Sequence, residues 1–242
     1  MKNRNKWTAL LLTAGLCLSL AACGGNKTQD QEGRSFTTHD AEVYIDGLLR
    51  ENFLGEADQE YLELVGIHED DVEKVYESAL EMDVDYFFSL YDIDHPTDEL
   101  REEVQELYKE IYTHIKYEIV SAAQQEDGSF SVKVDMYPID IVQTVSEASD
   151  TALADFYEEY PVDKINAMND REFEAMDREW SRLIVDLYQD TLKEIGNMTV
   201  RSLSVLIEEN DEGRYVLKTE DFDRLSELVI DYSNAGASAT EE

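Results

Sequence analysis

The chain has 242 residues, with 20 lysine and arginine residues against 56 aspartate and glutamate residues, and its net charge at pH 7 is −36. A charge of this sign argues against binding of nucleic acid or anionic lipid headgroups, because both require a basic protein surface. The hydrophobic share of 43% and the 14 tyrosines argue against a disordered body, and the length suits one large or two closely packed domains.

The first residues have the layout of an export signal. Lys2, Arg4 and Lys6 form a positive segment, and the apolar run 7–20 follows it, as in secretory signal peptides. The run is too short for a comfortable transmembrane span. We therefore predict that residues 1–22 are a signal peptide that is removed, with an uncleaved N-terminal helix as the alternative.

The stretch Leu20-Ala21-Ala22-Cys23 closes this segment. It resembles the lipobox of bacterial lipoproteins, in which the cysteine thiol receives a diacylglycerol group and the chain is cut just before it. The resemblance implies that Cys23 carries the lipid, with palmitate-type chains, and holds the protein on the outer face of a bacterial cell membrane. Because each buried CH₂ contributes about 0.8 kcal/mol, two acyl chains give stable anchoring.

Cleavage leaves a strongly acidic chain without a free thiol. The mature part keeps 17 basic and 56 acidic residues, a net charge of −39. Cys17 leaves with the signal, so the body has no cysteine for a disulfide, a metal site or a nucleophile. Residues 23–38 comprise the lipidated cysteine and a flexible tether, and residues 233–242 form a polar, disordered tail.

Helical periodicity dominates the remaining sequence. Apolar residues at spacings of three and four predict helices, and two stretches with a period near two predict β-hairpins. The predicted helices cover 40–54, 57–65, 72–91, 100–111, 142–160, 173–191 and 222–229, and the hairpins pair 114–124 with 129–137 and 199–209 with 214–218. Gly66 and Gly196 are expected to end the second and sixth helices.

These elements predict an α+β fold that is predominantly helical. The two hairpins can pair as one antiparallel four-stranded sheet on helices, since an isolated hairpin is only marginally stable. The segments 39–140 and 141–232 are expected to pack as one globular body. Gly128 and Gly213 end similar acidic turns in the two segments. Either an internal duplication of a helix–hairpin unit or the general similarity of helix-to-hairpin connections explains this equally well.

No familiar catalytic motif is present: the sequence has no Gly-x-Ser-x-Gly, no glycine-rich phosphate loop and no His-Glu-x-x-His. We expect no cofactor and no metal. The alternating acids Asp83/Asp85 and Asp92/Asp94 do not continue into a glycine-containing calcium loop. The histidines are far apart and are expected at the surface: His39, His68, His95 and His114.

The tyrosines have two interpretations. Most lie in helical stripes, which favours packing in the core or at its boundary. The alternative is a groove for sugars or peptides, because tyrosine combines a flat apolar face with a hydroxyl group. Tyr157 and Tyr160, together with Trp180, are the aromatic set most worth inspecting.

Several further segments accompany the lipobox and the tether: 61–66, 86–87, 96–100, 108–112 and 137–140. Together they resemble an uncharacterised family of surface lipoproteins from Gram-positive, clostridia-type bacteria. The resemblance covers about half of the chain closely. It implies a surface domain of unknown function and assigns no catalytic residue.

The sequence therefore favours a non-enzymatic binding or interaction protein at the membrane surface, with an unknown protein or small-molecule ligand. One alternative is a cell-wall-directed hydrolase that uses two carboxylates facing each other in a cleft. Another is an acidic spacer or assembly protein.

Overall fold

The computed structural model describes residues 35–233, which form eight helices and four strands. The helices are α1 Thr38–Leu54, α2 Gln59–Val65, α3 Glu69–Leu90, α4 Asp98–Tyr112, α5 Ile141–Glu159, α6 Val162–Asn166, α7 Asp170–Thr191 and α8 Thr219–Ser226; the strands are β1 Tyr117–Gln124, β2 Phe130–Met136, β3 Arg201–Glu209 and β4 Tyr215–Leu217. The predicted signal peptide, the lipobox with Cys23, most of the tether and all but the first residue of the tail lie outside the described residues.

Local capping chemistry sets the first helix boundaries. The Thr37 hydroxyl accepts a hydrogen bond from the Asp40 amide, and the Asp40 carboxylate accepts one from the Thr37 amide, so α1 begins with a reciprocal cap. Gly55 ends α1 at φ 64, a left-handed conformation that glycine adopts without a clash from Cβ. Gly66 ends α2 in the same conformation, as predicted.

The strands form one antiparallel sheet in the order β1-β2-β3-β4. The two hairpins turn at Gly128 and Gly213, which both have positive φ, and they meet along β2 and β3, where Val132 lies opposite Val205. The sheet packs against helices. The predicted α+β fold is confirmed.

A continuous apolar core joins the sheet to the helices. Alternate residues of β2, such as Phe130, Val132 and Val134, are buried. Lys133, which lies between Val132 and Val134, is exposed. The same cluster includes Ile45 of α1 and Ile184 of α7. Its members therefore come from both the 39–140 and the 141–232 segments.

The longer helices divide into two groups. α3 packs against α1 and α4, and α5 packs against α7. Both groups present acidic residues to solvent and apolar residues inward. Within residues 35–233, no helix combines the length and the apolar character that a membrane crossing needs.

Two details differ from the sequence-based expectation. The short helix α6 was not predicted, and α7 ends at Thr191 rather than at Gly196. Gly196 instead joins distant segments: its amide donates to Asp140 Oδ1 at 2.7 Å, and its carbonyl accepts from the Asp140 amide. Expecting Gly196 to end the sixth helix was therefore wrong, because tertiary hydrogen bonds fix this glycine.

Candidate functional site

The structure brings together the aromatic residues that the sequence singled out. Phe156 and Tyr160 lie on one side of α5 with ring centres 4.9 Å apart. Trp180 of α7 lies 5.0 Å from Phe156 and 6.1 Å from Tyr157. We call Phe156, Tyr157, Tyr160 and Trp180 the aromatic patch. Phe156 was missed, although its spacing of four from Tyr160 places both on one helix face.

Trp180 contacts Tyr91, the residue that follows the last turn of α3. Its indole N–H donates to the Tyr91 carbonyl oxygen at 2.6 Å. The Tyr91 hydroxyl in turn shares a hydrogen bond of 2.6 Å with the hydroxyl of Tyr188, two turns further along α7. These contacts join the indole to the C-terminal end of α3, where the ring of Phe87 also lies 5.2 Å from that of Tyr188.

Asp177 fixes the loop that borders the patch. Its side chain is buried and accepts hydrogen bonds from the amides of Asp94, at 3.2 Å, and His95, at 2.8 Å. Asp92, at the start of this loop, has φ 50, in the left-handed region that side-chain-bearing residues rarely adopt. The carboxylate of Asp177 therefore satisfies two loop amides and positions the chain just after Tyr91.

The patch is aromatic and surrounded by negative charge. Tyr157 is 45% exposed, and its pKa is raised by burial and by the negative charge of Asp92. The hydroxyl of Tyr160 donates to Glu179 Oε2 at 2.7 Å, and this hydrogen bond raises the pKa of Tyr160 to about 12. Such a surface can bind apolar or cationic groups through its ring faces.

Two shallow depressions lie near the patch-bearing helices. One is a groove between α4 and α7 lined by Glu99, Glu102, Glu103 and Glu106, and the other is lined by His95, Phe173 and neighbouring polar residues. Arg182 binds both carboxylate oxygens of Glu103, at 3.1 and 2.6 Å, and lowers the pKa of Glu103. The described carboxyls with a raised pKa, which are Glu51, Asp83 and Asp223, line neither depression.

A separate buried cluster connects α3, α4 and the last described residues. The Tyr112 hydroxyl donates to Asp83 Oδ2 at 2.7 Å, and the hydroxyls of Tyr108 and Tyr232 share a hydrogen bond of 3.1 Å. Burial raises the pKa of Asp83 to about 7, and the hydrogen bond from Tyr112 partly offsets this effect. The cluster therefore couples the protonation of Asp83 to the packing of α3 on α4.

The remaining candidate residues are dispersed. His39 lies 3.0 Å from Glu60, and His68 precedes α3 as its N-cap. Asp85 forms an ion pair with Arg101 rather than facing Asp83. Among residues 35–233, no three histidine, cysteine, aspartate or glutamate side chains are grouped so that they could hold a metal ion.

Comparison with known proteins supports the fold. The chain is similar to the crystal structure of a protein named as a lipoprotein, ycdA, from Bacillus subtilis, with a TM-score of 0.51 and 14% identity. The similarity covers 79% of this chain and 56% of that protein, so the chain spans little more than half of its neighbour. No family model and no curated protein matches the chain.

The buried position of Asp177 predicts a large effect of its removal. Asp177→Ala removes the carboxylate that accepts from the partly buried amides of Asp94 and His95, and a hydrogen bond to a charged group contributes about 1.5–3 kcal/mol. In a chain that also carries Trp7→Phe, we expect the free energy of unfolding to fall by about 2–4 kcal/mol and the emission of Trp180 to shift to the red, as measured by urea denaturation followed by fluorescence.

The control is Asp190→Ala, at an exposed position of the same helix. A loss of stability equal to that of this control, with unchanged Trp180 emission, would show that Asp177 does not hold the loop.

The raised pKa of Asp83 predicts a pH-dependent difference in stability. An unfolded aspartate has a pKa of about 3.9, whereas folded Asp83 has a pKa of about 7. Between these values the folded chain retains a proton that the unfolded chain has lost, so the contribution of Asp83 to stability falls as the pH rises. Asp83→Asn should therefore gain about 1–3 kcal/mol relative to the parent chain between about pH 5 and about pH 8.

Urea denaturation of the parent chain and of Asp83→Asn at about pH 5 and about pH 8 measures this gain in the free energy of unfolding. Glu81→Gln, at an exposed position of α3, is the control and should show no comparable change. A difference between Asp83→Asn and the parent that is constant with pH would contradict the assignment.

Proposed function

We propose that this chain is an extracytoplasmic lipoprotein, anchored to the membrane through Cys23, that binds a ligand at the aromatic patch without converting it chemically. The lipobox and the export signal support the anchor. The Bacillus subtilis fold neighbour, which is itself named as a lipoprotein, points in the same direction. The patch supports the binding role.

The main observation in favour of a binding role is that half-exposed Tyr157 lies beside Trp180, whose indole N–H donates to the Tyr91 carbonyl oxygen. A flexible aromatic side chain loses rotamer freedom when a ligand binds, at about 0.5–1.5 kcal/mol per side chain, and prior fixation reduces this cost. Trp180 is fixed by Tyr91, and the adjoining loop is fixed by Asp177. Preorganised aromatic surfaces of this kind are typical anchors of binding sites.

A hydrolase that uses paired carboxylates has less support. Such an enzyme needs two carboxyls on either side of the scissile bond, one of them with a raised pKa. Burial raises the pKa of Glu51 and Asp83, but the hydrogen-bond partner of each is a tyrosine, Tyr61 and Tyr112 respectively. Asp223 on α8 has a pKa raised by burial and by Glu220, but it lines neither of the two depressions. Binding is therefore the function that the geometry favours.

Trp180 makes the binding role measurable. The chain has two tryptophans, so a full chain carrying Trp7→Phe reports Trp180 alone. We expect a peptide, sugar or amino acid from a ligand panel to change its emission with a saturable dependence on concentration. Because Tyr157 covers one side of the patch, Tyr157→Ala should weaken that binding by about tenfold, the loss typical of an interface residue worth 1–2 kcal/mol.

Tyr86→Ala is the matched control, since Tyr86 is 43% exposed on α3 and lies outside the patch. It should leave the affinity unchanged. If no panel member changes Trp180 emission in a Tyr157-dependent way, the patch is not a binding site.

The anchoring role predicts a change of location. When the chain is produced in a Gram-positive host, Cys23→Ala should move it from the membrane to the medium, because the site of acylation is lost. Cys17→Ala, in the apolar run, is the control and should leave the protein on the membrane. Fractionation after an alkaline wash measures both, and a Cys23→Ala chain that stays with the membrane would refute lipid anchoring.

A further inference from the structure

We propose that the ligand of the aromatic patch is a basic segment of polypeptide, in which a lysine or arginine side chain lies on the face of Tyr160 and adjacent apolar residues cover Tyr157. This inference rests on the binding function proposed above and specifies its partner. Three observations support a basic partner: the position of Lys164, the distribution of charge around the patch and the open shape of the patch.

The chain itself places an ammonium group on the patch. Lys164 Nζ lies 4.3 Å from the ring centre of Tyr160 and donates to the Glu159 carbonyl oxygen at 2.8 Å. A cation over an aromatic face is attracted by the negative charge of that face. The hydrogen bond from the Tyr160 hydroxyl to Glu179 pushes electron density into the ring, which strengthens this attraction.

Lys164 is also easy to displace. It is exposed and lies on α6, a helix of five residues. Its contacts are one ring face and one backbone carbonyl, so moving it into water costs little. Tyr160 itself is only 9% exposed, so Lys164 has to move before a ligand ammonium or guanidinium can reach this ring face. The position of Lys164 thus indicates that the face of the Tyr160 ring accepts a cationic group.

The charge around the patch attracts such a group. Lys164 is the only basic residue between Lys133 and Arg171 in the sequence. The segments that border the patch carry more acids than bases. The acids are Asp92, Asp94, Asp155, Glu158, Glu159, Asp163 and Glu179, and α7 also carries Arg178 and Arg182, the latter paired with Glu103 and Asp186. A surface with one sign of charge raises the local concentration of the opposite charge and speeds its association.

The open shape favours a peptide over a small organic cation. Sites for small ammonium ions enclose the cation between several aromatic walls. Here the rings of Tyr157 and Trp180 meet at 42°, and Tyr157 and Val162 are 45% and 65% exposed. A small cation on Tyr160 would leave both apolar side chains in water. A peptide can add apolar side chains next to its basic residue and cover them.

The test uses the full chain carrying Trp7→Phe and a synthetic peptide of alternating lysine and leucine. Two analogues of equal length separate the contribution of the positive charge from that of the apolar side chains. One replaces lysine by glutamine, and the other replaces leucine by serine. Fluorescence of Trp180 gives each Kd, at an ionic strength near 0.15 M so that distant charges are screened. We expect the lysine–leucine peptide to bind about tenfold more tightly than either analogue.

Variants locate the peptide. Tyr157→Ala should raise the Kd of the lysine–leucine peptide by about fivefold or more, while Tyr86→Ala should not change it. Lys164→Gln removes the competing ammonium and should lower the Kd by about twofold to fivefold, whereas Lys164→Arg should leave it nearly unchanged. Because Lys164 is exposed, neither substitution should disturb folding, which the urea midpoint checks.

Three results would overturn the inference: equal Kd values for the lysine–leucine and glutamine–leucine peptides, equally tight binding of the lysine–serine peptide, or a Kd that Tyr157→Ala does not change. A Tyr157-dependent response to a neutral sugar or peptide, with no preference for lysine, would leave the proposed binding function intact and reject only the basic partner. Absence of any Tyr157-dependent response would reject both.

Discussion

The described body, residues 35–233, is strongly acidic and stays compact without a disulfide bond. The whole chain has 56 acidic residues, and neither of its two cysteines lies in the described body. Repulsion among these charges opposes the compact state, so a continuous apolar core has to hold the helices and the sheet together. That core joins residues from both segments of the chain. Some acids also contribute to stability as caps, as Asp40 and Glu172 do at the starts of α1 and α7.

Buried Glu51 and half-buried Asp83 show how carboxyl groups are accommodated inside the fold. Glu51 and Asp83 each accept a hydrogen bond from a tyrosine hydroxyl. Because a tyrosine is neutral, the cost of burial remains, and the pKa of both carboxyls is raised. Asp177 is used differently, since it accepts from two loop amides. Its burial thus positions a loop of the candidate site.

The same helix that carries Asp177 also carries Trp180, one turn away. This arrangement links the support of the patch directly to its aromatic surface. Tyr91 completes the link, because its carbonyl accepts from Trp180 and its hydroxyl bonds to Tyr188. The aromatic patch therefore lies on helices α5 and α7. Its acidic border and the position of Lys164 are the observations behind the basic partner proposed above.

The sequence by itself determined the local elements of this protein. Apolar spacing located the long helices, and turns ending at Gly128 and Gly213 located the two hairpins. The sequence also offered Tyr157, Tyr160 and Trp180 as the aromatic set to inspect. These signals are local, because residues within one or two turns decide them. Tertiary structure alone decided the rest. Asp177 holds amides 82 and 83 residues away, and Asp140 holds Gly196 across 56 residues. Periodicity carries no information about such pairs, since they form only when packing brings distant segments within hydrogen-bond reach.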